Sequence, residues 1–161
     1  MSGLARPAPM AIALEEARAA ARRGETPVGA VIVDPSSGRI LAREGNRTRA
    51  LRDPTAHAEI LAIRAACRRL GSERLAGLDI HVTLEPCPLC AAAIAAARLR
   101  RLFYGAPDPR SGGVEHGPRI FSHPQSHHRP EIYPGIAEAE AAALMRDFFA
   151  ALRKPPCAGR G

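Results

Sequence analysis

Four side chains have the types and spacing to do chemistry: His57, Glu59, Cys87 and Cys90. One imidazole and two thiolates make a three-point ligand set for a divalent metal. Three protein ligands is the count of a catalytic zinc, whose fourth position stays open for water. Glu59 follows the histidine by two residues and is placed to move protons for that water. Two thiolates and a neutral imidazole leave zinc formally uncharged, so it acidifies water less than an all-histidine site, and a carboxylate base becomes useful. Desolvation is expected to raise the pKa of Glu59, as a proton shuttle requires.

The elements around these residues must bring them together. Cys87 and Cys90 are three apart at a predicted helix start, so both sulfurs share a face. Free N–H groups and the positive end of the helix dipole favour thiolates there. Pro86 suits the entry because it needs no N–H partner. His57 and Glu59 would point about 200° apart on a regular helix. They converge only if the helix is just starting at His57, and Pro54-Thr55, with Thr55 as cap, predicts such a start. The competing reading is a structural zinc or a redox Cys-x-x-Cys. A structural site closes with a fourth ligand, and Cys67, the only spare cysteine before the pair, lies on the order of 15 Å from His57 along the same helix.

The pattern along the chain predicts the supporting scaffold. A helix is expected from Ala8 to about Arg23, stopped by Gly24. Val28–Val33 and Arg39–Arg43 read as strands joined by the turn residues Asp34–Gly38. After a polar loop from Asn46 to Pro54 comes the His57 helix, running to about Leu70. Leu78–Leu84 alternates as a strand, Cys87–Arg98 reads as a helix, and Arg101–Tyr104 as a strand. Gly105–Pro130 is a long loop holding four of the six histidines. A loop of that length is functional or hides a short helix. Glu131–Tyr133 is a short strand candidate and Ile136–Arg153 a closing helix. This order predicts an α/β fold: a mixed sheet of about five strands with helices on both faces. Sites in such sheets form where strand ends meet helix starts.

Composition sets the outer bounds. The 161 residues fit one domain, with tails expected at about 1–8 and 155–161. The formal charge of +7 suits a polyanionic partner such as nucleic acid. Lys154 is the only lysine among 23 basic residues, which points to a GC-rich genome without explaining the excess charge. Four cysteines at this length argue against a disulfide framework and for a reducing, cytoplasmic setting. The alanine-rich start carries Glu15, Glu16 and Arg18, so it reads as neither signal peptide nor membrane span. His116, His123, His127 and His128 form no metal spacing.

His57-x-Glu59 with Pro86-Cys87-x-x-Cys90 is the pattern of the zinc-dependent nucleobase deaminases. More broadly, Glu25–Val31, Asn46, Asp53–Ile60, Val82–Cys87, Tyr104-Gly105-Ala106, Asp108 and His128-Arg129 resemble the bacterial tRNA-specific adenosine deaminases. The resemblance runs from Glu25 to Phe149. It implies the three-layer α/β/α cytidine-deaminase-like fold, one zinc per subunit, a homodimer, and conversion of wobble adenosine to inosine in a tRNA anticodon. It implies that Asn46 contacts the flipped nucleoside, that Val28 packs on the base, that backbone near Leu84 accepts from the exocyclic amine, and that Asp108 contacts the strand. Ala58, Pro86, His127 and Arg129 complete the implied substrate-binding set. Departures from the family cluster in Val114–Arg119, with His127 in place of an asparagine and Pro130 in place of a branched aliphatic residue. They leave the zinc chemistry untouched and bear on substrate recognition. A second reading is therefore a small-molecule nucleobase deaminase of guanine or cytosine type. A third is a basic, non-enzymatic RNA-binding zinc module.

Overall fold

The structure, a computed structural model, describes residues 8–154. The expected tails beyond those limits, with Cys157, lie outside the described residues. Pro9 opens α1 (Pro9–Arg22), where a missing N–H costs nothing. Gly24, at φ +80, turns the chain out of it. The hairpin follows as β1 (Gly29–Asp34) and β2 (Arg39–Gly45). Its turn is held by Asp34 Oδ1, which accepts from the N–H and hydroxyl of Ser36.

Next come α2 (Ala58–Leu70), β3 (Asp79–Leu84), α3 (Pro88–Ala97), β4 (Arg101–Ala106), β5 (Glu131–Tyr133) and α4 (Glu138–Leu152). The long loop between β4 and β5 hides one short 3-10 turn, Ile120–Ser122. Strand order is β2-β1-β3-β4-β5. β1 is antiparallel to both β2 and β3, while β3, β4 and β5 run parallel. The sheet is therefore mixed and five-stranded, as expected, with helices on both faces.

Strand alternation divides the core. Ile32, Ile80, Val82, Leu102 and Tyr104 pack with α2 and α3. Val31 packs with Met10, Ala13 and Leu14 of α1 and Ala141 of α4. Each fully buried aliphatic side chain contributes about 1.5–3 kcal/mol relative to exposure. On the α1 side of β1 the contact is close enough to require glycine, since a Cβ on Gly29 would sit 1.9 Å from the Ala13 carbonyl oxygen. On the same face, His81, Phe103 and Tyr133 stack across β3, β4 and β5, with ring centroids 4.4 and 4.9 Å apart.

Candidate metal centre and active-site pocket

Two helix starts meet at the end of the sheet. His57 is the residue before α2, with extended backbone at φ −71, ψ 152. Cys87 holds the same position before α3, at φ −68, ψ 170, and Pro88 is the first helical residue. The expected helix opening at Pro54-Thr55 is corrected here: α2 begins at Ala58. The hydroxyl and N–H of Thr55 both go to Asp53 Oδ1, at 2.7 and 2.8 Å, so Thr55 closes a turn on Asp53 and does not cap the helix. The later start resolves the His57–Glu59 geometry. His57 lies outside the helix and Glu59 inside its first turn, so the 200° separation of a regular helix does not apply.

His57 Nδ1 lies 3.3 Å from Cys90 Sγ and 3.5 Å from Cys87 Sγ. The three donor atoms all fall within 4.8 Å of one another, a spacing that one ion can share. Cys90 is fully buried, and Cys87 is half-buried. Their chemistry suits a cation. The hydrogen bond from Cys90, aided by His57, holds Cys87 down to about 4 against the effect of burial. The same bond and burial push Cys90 up. Two thiols this close to a carboxylate ionise together only if a cation joins them. Contact with Cys87 raises His57. Among the described residues no third cysteine approaches as a fourth ligand: Cys67 is packed against the apolar cluster of α2 and α3.

Glu59 is 4% exposed and reaches the same cavity as His57 and Cys87. Burial raises its pKa above the ordinary carboxylate value, with Cys90 opposing. The cavity encloses about 820 Å³. Of the sequence-predicted substrate residues, Val28, Asn46, Leu84 and Asp108 line it. Asp108 also holds its own turn, since its Oδ1 accepts from the N–H groups of Arg110 and Ser111. Ala58, the first residue of α2, is buried in the core. Pro86 is buried, and its carbonyl accepts from Gly113 N–H. His127 lines a separate groove beside α3, and Arg129 is exposed away from the cavity. A single chain therefore does not bring these two residues to the pocket.

Several wall residues were not singled out from the sequence. Thr48, Arg110 and Ser111 come from loops. Met145, Arg146, Phe149 and Leu152 come from α4, and Arg153 from the residue just after it. Phe149 is 43% exposed and lines the cavity. Met145, Phe149 and Leu152 recur at i, i+4 and i+7, a one-face signal the sequence carried. Glu85 carried no signal of its role. Fully buried, it accepts from the N–H groups of Asp108, Val114, Glu115 and His116, and from His116 Nδ1. The long loop is folded around that one carboxylate.

Comparison with known proteins agrees with this geometry. The family model described as "Cytidine and deoxycytidylate deaminase zinc-binding region" matches residues 6–106. The chain is 59% identical over 140 residues to a tRNA-specific adenosine deaminase of Agrobacterium fabrum, covering 87% of this chain and 91% of that one. A tRNA-specific adenosine deaminase of Bacillus subtilis is 38% identical over 148 residues, covering 92% and 91%. A solved structure from a study of A-to-I editing by tRNA:A34 deaminases superposes with a TM-score of 0.82 at 59% identity, over 84% of this chain and 97% of that one. The guanine deaminase of Nitrosomonas europaea shares the fold at lower identity, 26% with a TM-score of 0.74, over 91% and 86%. With the zinc-binding deaminase region matched over more than half its length and close relatives matched nearly end to end, this chain belongs to the tRNA-specific adenosine deaminases of the cytidine and deoxycytidylate deaminase family.

Proposed function

We propose that this protein hydrolyses adenosine to inosine at the wobble position of a tRNA anticodon in the cytoplasm. The observation that carries the reading is the convergence of His57 Nδ1, Cys87 Sγ and Cys90 Sγ beside the buried Glu59 on one cavity. His57, Cys87 and Cys90 would hold one zinc ion, which when bound supplies Lewis-acid activation of water. The carboxyl of Glu59 does the proton work. It takes a proton from the attacking water, delivers it to the ring nitrogen of the base, and then loads the leaving amine. Water and adenosine go in, and inosine and ammonia come out. Val28 and Leu84 supply apolar wall for the base. Desolvation raises the Glu59 carboxyl above the ordinary carboxylate value, which suits a group that must both accept and release a proton.

Arg110, Arg146 and Arg153 line the same cavity. A free purine carries no phosphate for them, whereas an RNA strand does. This favours RNA over the free base that the guanine deaminase likeness suggests. The family reading includes a homodimer. α3 supports it, because this helix is apolar on every side and leaves Leu89 44% exposed. Among the described residues no helix is long and apolar enough to cross a membrane.

A substrate panel with zinc-loaded protein tests the proposal. An anticodon stem-loop should yield inosine at the wobble position with release of ammonia. Turnover of free guanine or cytosine, with none of RNA, would overturn it.

A further inference from the structure

Asn46 and Thr48 lie on the wall of the active-site cavity. Behind them sits Glu25, only 1% exposed. Asn46 Nδ2 donates to Glu25 Oε2 at 3.1 Å and to Thr48 Oγ1 at 3.3 Å. Glu25 also accepts from Ala50 N–H at 2.8 Å and from Arg49 N–H at 3.3 Å. Every partner of this carboxylate is a donor.

That arrangement decides which end of the Asn46 amide faces which way. Both Glu25 oxygens accept from backbone N–H groups and so act as acceptors, and the amide turns its NH₂ group toward them. Both Nδ2 hydrogens are then committed. Among the described residues Oδ1 has no hydrogen-bond partner. It is not buried either, because His81 Nδ1 is the one buried, unpartnered side-chain polar atom among the described residues. Oδ1 is therefore what Asn46 shows to the cavity.

We propose that Glu25 is a positioning residue, which locks the Asn46 amide so that the pocket presents an acceptor and reads a hydrogen-bond donor on its substrate. The lock stands on geometry alone; the identity of the donor rests on the RNA adenosine reading. Adenine joined to a sugar has one donor, its 6-amino group, and that group is the one lost. A second donor must come from the ribose. Inside an RNA strand the free hydroxyl is the 2′-OH. A free purine would offer a ring N–H instead, and a 2′-deoxy substitution at the target distinguishes the two sources.

Glu25 is replaceable by an isostere, glutamine, whose own NH₂ would meet one of the three donors. In Glu25→Gln the kcat/KM on a stem-loop should fall on the order of 10–100-fold, as loss of one buried hydrogen bond predicts. In an Asn46→Ala background the same change should cost less than about 3-fold, because Glu25 acts through Asn46. An equal cost in both backgrounds would overturn the proposal. The 2′-deoxy target should lose on the order of 10-fold with the wild-type protein and far less with either variant. No loss with the wild type would overturn the sugar assignment.

A measurement on the unaltered, zinc-loaded protein covers the case of a variant that does not fold. Asn46 is the only asparagine in the chain, so asparagine-selective ¹⁵N labelling gives one side-chain NH₂ signal pair. Both protons should exchange with water at least about tenfold more slowly than those of free asparagine. Free exchange overturns the lock whatever the substrate. If the wild type fails to deaminate the stem-loop, the functional reading falls while this signal still decides the role of Glu25.

Discussion

His116 Nδ1 sits 2.7 Å from Glu85 Oε1, joining the long loop to the segment that carries both cysteines. The bond is one of five that this buried carboxylate accepts, the others coming from backbone N–H groups of residues 108 and 114–116. Beside it, a Cβ on Gly112 would fall 2.3 Å from Glu85 Oε2, and a Cβ on Gly113 would fall 2.5 Å from the Pro88 nitrogen. Loop and metal-binding segment are thus packed as one unit.

Replacing Glu85 with glutamine puts an NH₂ group among donors. The expected cost is about 2–4 kcal/mol of stability, typical of a broken buried network. His116→Ala removes one bond of the five and should cost about 1 kcal/mol. Chemical denaturation of both variants checks the order. A His116 variant that loses as much as the Glu85 variant would place the anchor on the imidazole instead.

Glu59→Gln keeps the shape of the pocket and removes the proposed proton carrier. The expected result is a fall in kcat of about 10²–10⁴-fold with zinc content unchanged. Cys90→Ser should instead lose the metal, because a fully buried hydroxyl is a poor substitute for a thiolate. Metal analysis beside single-turnover assays separates the two. Chelation of the wild type should abolish activity reversibly and lower the melting temperature.

The candidate metal-binding set was legible because it depends on local spacing, His-x-Glu and Cys-x-x-Cys, each at a helix start. β3 was legible from alternation, and β1 and β2 from the turn residues between them. The start of α2 was misplaced because Asp53 competes for the Thr55 hydroxyl, and a cap and a side-chain turn look alike in sequence. Glu25 and Glu85 stayed hidden for another reason. Each accepts N–H groups from loops about 25 residues away in sequence, and such pairing has no period to detect. The placement of His127 on a separate groove depends on how the histidine-rich loop closes, which no local rule encodes.

Gly29→Ala tests the helix–sheet contact. The added Cβ meets backbone, not a flexible side chain: Ala13 O at 1.9 Å and Ala17 N at 2.8 Å. α1 must lift from β1, exposing Met10, Ala13 and Leu14. The expected loss is about 3 kcal/mol or more, at the upper end of overpacking costs. Val28 lies next to the displaced residue and lines the pocket, so KM should rise as well. A variant as stable as the wild type would show that α1 is not seated as described.

His81 gives stability a pH dependence separate from catalysis. Its ring stacks on Phe103 at 4.4 Å, and its buried Nδ1 has no partner among the described residues. Burial lowers its pKa from 6.5 to about 4, with Asp79 opposing. The sign follows from which state binds the proton first. Below pH 6.5 the unfolded chain takes up a proton that the folded chain refuses, so stability falls as pH drops. The loss grows until about pH 4, where the folded state also protonates, and reaches at most about 3 kcal/mol. Other groups titrate over the same range, so the measurement is a difference. His81→Phe keeps the stack and removes the proton site. Urea midpoints of the two proteins should diverge by a growing margin from pH 7 to pH 4.5, with the variant falling less. A constant margin across that range would mean His81 is hydrated or protonated in the folded protein.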